Sequence, residues 1–501
     1  MLDSYIENNI NRKVKLLNTL LDYPKINFKK ISDLLDIKIN LIKKLINEIN
    51  LELTNVLTIT CTKQNIITKI PKNRSKLQLF HAIYEKSDVL HCIKYLLVEK
   101  EKSVSFLEYA SENFTSVSNA YRYRKKCIYF LCSIGLKEEK NAVVGPEYRI
   151  RYLIALLHYK YGVNLYEIDD QSKKCIRTFV NSTNKVISKE VIEVMEEEYG
   201  FFEYLVFLSW KRTQYELNLP VSTEFDSLKK KLNFEKLKNS AKLIEQGMSI
   251  EFNESDYEYL FLVYCSTNNC LFADNWTPHD VTKTYNHFLF NNDKYIRLID
   301  LFTERFGEKL VQNETFKLII VCFLRKFIFN LQCIIPDNNF FVDKEANLNQ
   351  KNCCIIMFST IDKWRKDIKM SYPVDDKHVI YLSIQIEKII RQFIEPVELI
   401  LIADSLADLQ ILTSILRKEM ATSIVITEFL IGVHDFNDLK LKKSSIFVLN
   451  KRFLRVVREM ELDKSNRIAE VSIDFSVHQI EKLRKIISQY EENKFTEYMC
   501  R

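Results

Sequence analysis

Phe114-Thr115-Ser116-Val117-Ser118-Asn119-Ala120-Tyr121-Arg122-Tyr123-Arg124-Lys125-Lys126-Cys127 opens a basic segment that runs to Ile134 and is followed by Gly135-Leu136-Lys137-Glu138-Glu139-Lys140-Asn141-Ala142-Val143-Val144-Gly145. An apolar helix from about Ser103 precedes the turn Phe114–Ser118, a second helix spans Ser118 to Ile134, and a hairpin follows. Helix, turn, helix and hairpin in that order describe a winged helix-turn-helix, which presents a cationic helix to DNA. At 3.6 residues per turn, Ala120, Tyr123, Cys127, Phe130, Leu131 and Ile134 share one side of the second helix. Ser118, Asn119, Arg122, Lys125, Lys126 and Tyr129 share the other. One face is built to pack and the other to meet a groove.

Two of only 7 glycines in the chain, Gly135 and Gly145, bracket the wing, where a helix end and a hairpin end favour positive φ. Between Asn113 and Lys137 stand five Lys or Arg and no acid. Charge runs are usually solvated helix faces, but here turn, wing and amphipathic phase agree. Arg122, Lys125 and Lys126 are therefore expected on phosphates or guanine edges, with Ser116, Ser118 and Asn119 setting the helix against the backbone.

At 501 residues the chain exceeds one core and predicts roughly three to five domains. Its 47% hydrophobic and 28% charged composition is that of a globular protein. The most apolar stretch, Leu318 to Leu331, is cut by Arg325 and Lys326, so no membrane span is expected. Asp3 and Glu7 stand where a secretory leader would be basic and then apolar, which predicts a cytoplasmic protein. Twelve cysteines without a C-x-x-C pair fit neither a zinc site nor a disulfide framework, and core thiols in a reducing compartment are expected. Residues 1–164 hold 27 Lys plus Arg against 16 Asp plus Glu, or +11, whereas the whole chain carries +7. The remainder is thus −4, and the basic charge belongs to the part expected to meet phosphate.

A second helix-turn-helix pattern lies upstream. Leu16, Leu17, Leu20 and Leu21 mark its first helix, Ile31, Leu34 and Leu35 its second, and Ile42, Leu45, Ile46, Ile49 and Leu53 the core face of its third. The opposite face of that third helix offers Asn40, Lys43, Lys44 and Asn47 to base edges or phosphates. Val56–Thr62 and Ile66–Ile70 read as its wing. Its turn holds Asp36 where Gly is common, and Glu48 and Leu51 suit a groove poorly. Beyond Gly162 the texture becomes aromatic-rich and helical, as in Val191–Gln214 and Leu318–Leu331, with two blocks separated by Asp274-Asn275-Trp276-Thr277-Pro278. From Val397 strands alternate with helices: Val397–Ala403 strand, Leu406–Lys418 helix, Ser423–Phe429 and Ile446–Leu449 strands, the pattern of a small parallel-rich α/β domain.

Ser111–Ser118, the Ile134-Gly135-Leu136 turn, and above all Gly145-Pro146-Glu147-Tyr148-Arg149-Ile150-Arg151 before an aromatic-rich helix resemble the second winged helix of the Mga, RofA-like and AtxA virulence regulators of Gram-positive bacteria. The resemblance follows the domain order of the whole chain and is sharp from about Ser103 to Leu157. It implies a mainly α multidomain protein: winged helix-turn-helix units at 1–73 and 74–163, helical phosphotransferase-regulation (PRD-like) domains at 164–278 and 279–394, and an enzyme IIB-like α/β domain at 395–501. It further implies a homodimer that binds double-stranded promoter DNA, controls virulence or surface-protein genes, and responds to carbohydrate supply through histidine phosphorylation by a phosphocarrier protein. Residues 159–278 contain no His, so the first regulatory block cannot be a phosphohistidine acceptor. The second offers His287 and, at the head of a helix after Asp375-Asp376-Lys377, an exposed-looking His378, the better candidate phosphohistidine. Where enzyme IIB carries its phosphoacceptor Cys, this chain reads Ala403-Asp404-Ser405-Leu406-Ala407-Asp408, which predicts docking or dimerisation instead.

Two other classes stand beside DNA binding. An RNA-binding antiterminator also carries paired PRDs, but begins with a β-rich module, whereas residues 1–60 have helical periodicity. A phosphotransferase-sensing scaffold would use the basic N-terminal third only for solubility. No Walker loop, glycine-rich nucleotide fingerprint, nucleophile elbow or metal cluster is present in the sequence, so neither enzymatic activity nor a cofactor is expected.

Overall fold

A computed structural model describes residues 2–54, 56–69, 75–98, 106–183, 189–232, 234–267, 278–289, 292–336, 348–420, 424–472 and 477–499. Ser103, the wing end at Ile70, the turn Asp274–Thr277 and Ser423 lie outside them. Two compact units emerge: Met1–Leu301 with Val311–Glu345 and Met357–Leu382, and Phe302–Leu310 with Ala346–Ile356 and Ser383–Arg501.

The first unit opens with a 3-10 turn, Leu2–Ser4, then α1 (Asn8–Asp22), β1 (Lys25–Asn27), α2 (Phe28–Leu35), α3 (Ile39–Glu52), β2 (Thr58–Cys61) and β3 (Asn65–Lys69). The strands form an antiparallel sheet ordered β1-β3-β2, so the expected hairpin gains a third strand. Asn27 caps α2 by accepting from Lys30 N, and Asp36 ends it in the left-handed region at φ 53°. Asn50 ties α3 to the wing, its Oδ1 accepting from Ile59 N at 2.9 Å and its Nδ2 donating to Ile59 O at 2.8 Å.

The second head comprises α4 (Lys76–Tyr84), α5 (Asp88–Leu97), α6 (Phe106–Glu112), α7 (Val117–Ser133) and the hairpin β4 (Lys137–Glu139) and β5 (Ala142–Val144). Lys140 and Asn141 turn that hairpin with φ of 51° and 63°, the two-residue geometry that matches strand twist. From Pro146 the chain enters α8 (Glu147–Tyr161), which packs on α4 and on α10 and is buried on nearly every side. The helices α9 (Asp170–Thr183), α10 (Lys189–Lys211), α11 (Thr223–Lys231), α12 (Phe234–Met248) and α13 (Glu254–Ser266) form the next bundle. They are followed by α14 (Pro278–Leu289), α15 (Asp293–Phe306), α16 (Glu308–Gln312), α17 (Glu314–Leu324), α18 (Leu348–Asp367) and α19 (Asp376–Phe393).

Charge is buried along α8 only because it is paired. Glu147 accepts from Arg151 Nε at 3.0 Å and from Arg212 Nε at 2.7 Å and Nη2 at 2.9 Å, while Arg151 Nη2 donates to Arg212 O at 2.9 Å. The Arg151 guanidinium also lies 4.7 Å from the Tyr259 ring. Arg149 reaches the other way, donating to Ile134 O at 2.8 Å, to Phe329 O at 2.7 Å and to Asn330 O at 3.2 Å, with its guanidinium 4.5 Å from the Tyr372 ring. This grip explains a departure from the sequence expectation. The apolar run Leu318–Leu331 is not one helix: α17 ends at Leu324, and within the 3-10 segment Arg325–Cys333 the residues Ile328, Phe329 and Asn330 leave helical geometry, the last two at φ of 50° and 56°. The carbonyls freed by that turn are those Arg149 holds.

In the second unit, β6 (Val397–Ala403), α20 (Leu406–Glu419), β7 (Ile424–Leu430), α21 (Phe436–Lys440), β8 (Ser445–Asn450), α22 (Leu454–Glu459), β9 (Arg467–Val471) and α23 (Val477–Met499) make a fully parallel sheet ordered β7-β6-β8-β9. Leu399, Leu401, Ile446 and Val448 face α20 and α23, whereas Ile400, Ile402, Phe447 and Leu449 pack with Leu439 and Val457. The fourth strand and the long last helix are additions to what the sequence pattern indicated.

Replacing Glu147 with Ala would leave Arg151 and Arg212 buried without their carboxylate, a loss of about 3–5 kcal/mol. Thermal unfolding of the full chain should show a clear fall in Tm for Glu147→Ala; an unchanged Tm would mean the network contributes nothing to stability.

Candidate nucleic-acid interface

Helix α7 starts close to where the sequence places it, with Ser116 Oγ accepting from Asn119 N at 3.3 Å and capping its first turn. Ala120, Tyr123, Cys127, Phe130, Leu131 and Ile134 are all buried, so the phase of the helix is as expected. On the opposite side Ser118, Arg122, Lys125 and Tyr129 are exposed, together with Ser116 at the cap; Asn119 is half-buried. The Arg122 guanidinium lies 5.5 Å from the Tyr123 ring and Lys125 Nζ 5.7 Å from the Tyr129 ring, contacts that leave both cationic heads at the surface.

Lys126 departs from this picture. It is half-buried, and its Nζ donates to Tyr5 O at 3.0 Å, because the segment before α1 runs alongside α7. Arg124, which the wheel does not place on the free face, clamps the wing: its Nη2 donates to both Glu138 oxygens at 2.9 Å, and Glu138 Oε1 also accepts from Asn141 N at 2.7 Å. A basic residue paired with an acid 14 positions on, across a glycine turn, was the available sequence signal for that clamp.

In the upstream head, Asn40, Lys43, Lys44 and Asn47 are all exposed on α3. Lys43 lies 5.4 Å from the Phe28 ring and Lys44 3.9 Å from Glu48. Glu48, which looked unfavourable for a groove, is turned toward α1, where it pairs with Lys13 Nζ at 2.9 Å and accepts from Asn9 at 3.1 Å. Burial works against the charge on Lys13, but Glu52 and Glu48 hold its pKa above the usual ammonium value.

The short segment before α1 does more than the sequence indicated. Glu7 accepts from Ser87 Oγ at 2.6 Å and from Val89 N at 3.1 Å at the head of α5. Asp3 accepts from Lys160 Nζ at 2.6 Å and Tyr161 OH at 2.9 Å, and lies 3.4 Å from Lys377 Nζ. Burial opposes its charge, yet Lys160 and Lys377 hold its carboxyl far below the usual carboxylate range. Beside this cluster His378 is not exposed as expected but 1% accessible. The helix head on which it sits is folded inward, with Nδ1 3.0 Å from Lys326 Nζ and Nε2 3.2 Å from Gln332 O. His287 is half-buried on α14, its Nδ1 enclosed without a hydrogen-bond partner, and burial followed by the Lys231 charge lowers its pKa.

Residues 72–158 match the Mga helix-turn-helix domain, and residues 172–360 match the PRD domain of the M protein trans-acting positive regulator, Mga. Together these cover more than half of the chain. The chain belongs to the Mga-like, PRD-containing regulators. No curated protein matches it. The first match embraces α7 and the wing, and the second runs across the junction expected near residue 278. These domains make it a DNA-binding transcription regulator of the Mga type. Among the described residues no helix is long and apolar enough to cross a membrane.

In this Mga-like chain the end of β6 carries an ion pair where a carrier Cys was sought: Arg452 Nη2 lies 2.5 Å from Asp404 Oδ1 and 3.7 Å from Asp408 Oδ2, and Ser405 Oγ caps α20 by accepting from Asp408 N at 3.0 Å.

Asp3→Asn should destabilise the folded chain by about 3 kcal/mol, since Lys160, 1% accessible, loses the carboxylate that its ammonium contacts at 2.6 Å. The folded carboxyl titrates below its ordinary value of 3.8, so its contribution is fully present above that pH and lost as the pH falls beneath it. Chemical unfolding should therefore show a constant gap between wild type and Asp3→Asn near neutrality that narrows in acid; a gap that widens in acid would contradict the assignment.

Proposed function

We propose that this regulator reads promoter DNA chiefly through α7, with Arg122 and Lys125 on phosphates or guanine edges, Ser116 and Ser118 against the backbone, and Asn119 at the capped first turn. The observation that carries this reading is the exposed stripe Ser118, Arg122, Lys125 and Tyr129 on a helix whose other face is wholly packed and whose wing is fixed by Arg124 and Glu138. Asn40, Lys43, Lys44 and Asn47 of α3 supply a second set of contacts. Lys126 serves to anchor the segment before α1 to the reading helix, since its ammonium is engaged by Tyr5 O.

The rest of the reading follows the family. Modules at 1–73, 74–163, 164–278, 279–394 and 395–501 act as two readers, two PRD-like bundles and an enzyme IIB-like domain. The last, with an Arg452–Asp404 ion pair in place of a carrier thiol, serves docking or homodimerisation, which doubles the contact set on a two-fold site. The regulated genes are virulence or surface-protein genes, and the input is phosphotransferase status relayed by a phosphocarrier protein in the cytoplasm. His287 is the more accessible phosphoryl acceptor; His378 accepts one only after the head of α19 opens.

A duplex enriched from a randomised library by the full-length chain provides the test. Arg122→Ala with Lys125→Ala should weaken binding and reduce the slope of log K against log salt by about 0.9 for each phosphate that the variant no longer neutralises. Unchanged affinity and slope in a gel-shift titration would sink the assignment.

A further inference from the structure

The flank of α7 beside its cationic stripe is apolar and open. Phe114, in the turn before the helix, is 100% accessible, Val117 at its first turn 46% and Tyr121 one turn later 47%. Phe114 holds a left-handed backbone at φ 48° where a helix end ordinarily takes glycine. For a bulky residue that conformation costs about 1–2 kcal/mol, and such strain concentrates at functional positions. Hydrogen bonds from Phe114 N to Ser111 O at 3.2 Å and from Thr115 N to Ala110 O at 3.0 Å keep the turn in place. Tyr121 is steadied by the buried Phe106 ring, 5.7 Å away, so its outward half is presented on a fixed base.

These side chains are continuous with the surface assigned to DNA: Val117 adjoins Ser118, and Tyr121 adjoins Arg122. In helix-turn-helix proteins the first turns of the reading helix meet base edges, while residues farther along meet the backbone. An apolar group at that place has one apolar counterpart in the major groove, the 5-methyl of thymine. We propose that Val117 and Tyr121, with Phe114 at the preceding turn, contact thymine methyl groups and so determine sequence preference, whereas Arg122 and Lys125 supply affinity. This rests on the reading of α7 as the DNA-contacting helix.

The probe is the library-selected duplex, resynthesised with deoxyuridine replacing one thymine at a time, so that only a methyl group is removed. Full-length wild type should bind about fourfold more weakly at one or two of these positions, the effect of one buried carbon. Val117→Ala or Tyr121→Ala should lose affinity for the thymine duplex and no longer distinguish uracil at the corresponding position. Arg122→Ala should keep the discrimination while lowering the salt slope. Uracil substitutions that are silent throughout, or discrimination that survives both alanine variants, overturn the methyl assignment while leaving α7 as the reader. If no duplex is enriched, or Arg122→Ala with Lys125→Ala leaves affinity and salt slope untouched, the reader assignment falls and the methyl contact with it.

Discussion

One carboxylate, Glu147, organises the first unit. It stands at the first residue of α8, where the helix dipole already favours an anion, and it receives Arg151 from the same helix and Arg212 from just beyond α10. A charge taken out of water is costly unless it is paired and hydrogen-bonded, so α8 can be this deeply buried only with both guanidinium groups in place. Because α8 follows directly on the wing, the same network fixes the Mga helix-turn-helix domain to the PRD-matching helices. Arg149, two residues along, adds the second half of the joint: one guanidinium holds Ile134 O at the end of α7 and the carbonyls of Phe329 and Asn330.

This joint gives physical content to the most specific stretch of the sequence. Gly145-Pro146-Glu147-Tyr148-Arg149-Ile150-Arg151 could be recognised as a family marker, yet its charges look like surface residues in a one-dimensional reading. Their burial depends on partners up to 181 positions away, and nothing local announces those. The fate of Leu318–Leu331 has the same cause: periodicity supports one helix, and the left-handed turn at Phe329 and Asn330 matters only to a guanidinium from α8.

Where packing phase alone decides a side chain's position, sequence was sufficient. The buried face of α7, the hairpin that follows it, the exposed residues of α3 and the strands β6, β7 and β8 all lie where the sequence pattern puts them. Where a long polar side chain chooses between solvent and a distant acceptor, pattern was insufficient. Lys126 shares the wheel's polar side with Arg122 but finds Tyr5 O, and His378 sits at a charged helix head but is enclosed by Lys326 and Gln332. Asp3 and Glu7 pass for ordinary terminal acids until Lys160, Lys377 and Ser87 are brought to them.

If α8 joins the helix-turn-helix domain and the PRD-matching helices through buried charge, the two must open together. Hydrogen exchange of the full-length chain through increasing sub-denaturing denaturant measures this directly, because segments that open as one unit share an opening free energy and its denaturant dependence. The amides of α8 and α10 should merge into a single opening reaction, and Glu147→Ala should lower both by the same amount. Exchange of α8 at denaturant concentrations where α10 stays protected, in wild type, would contradict the joint.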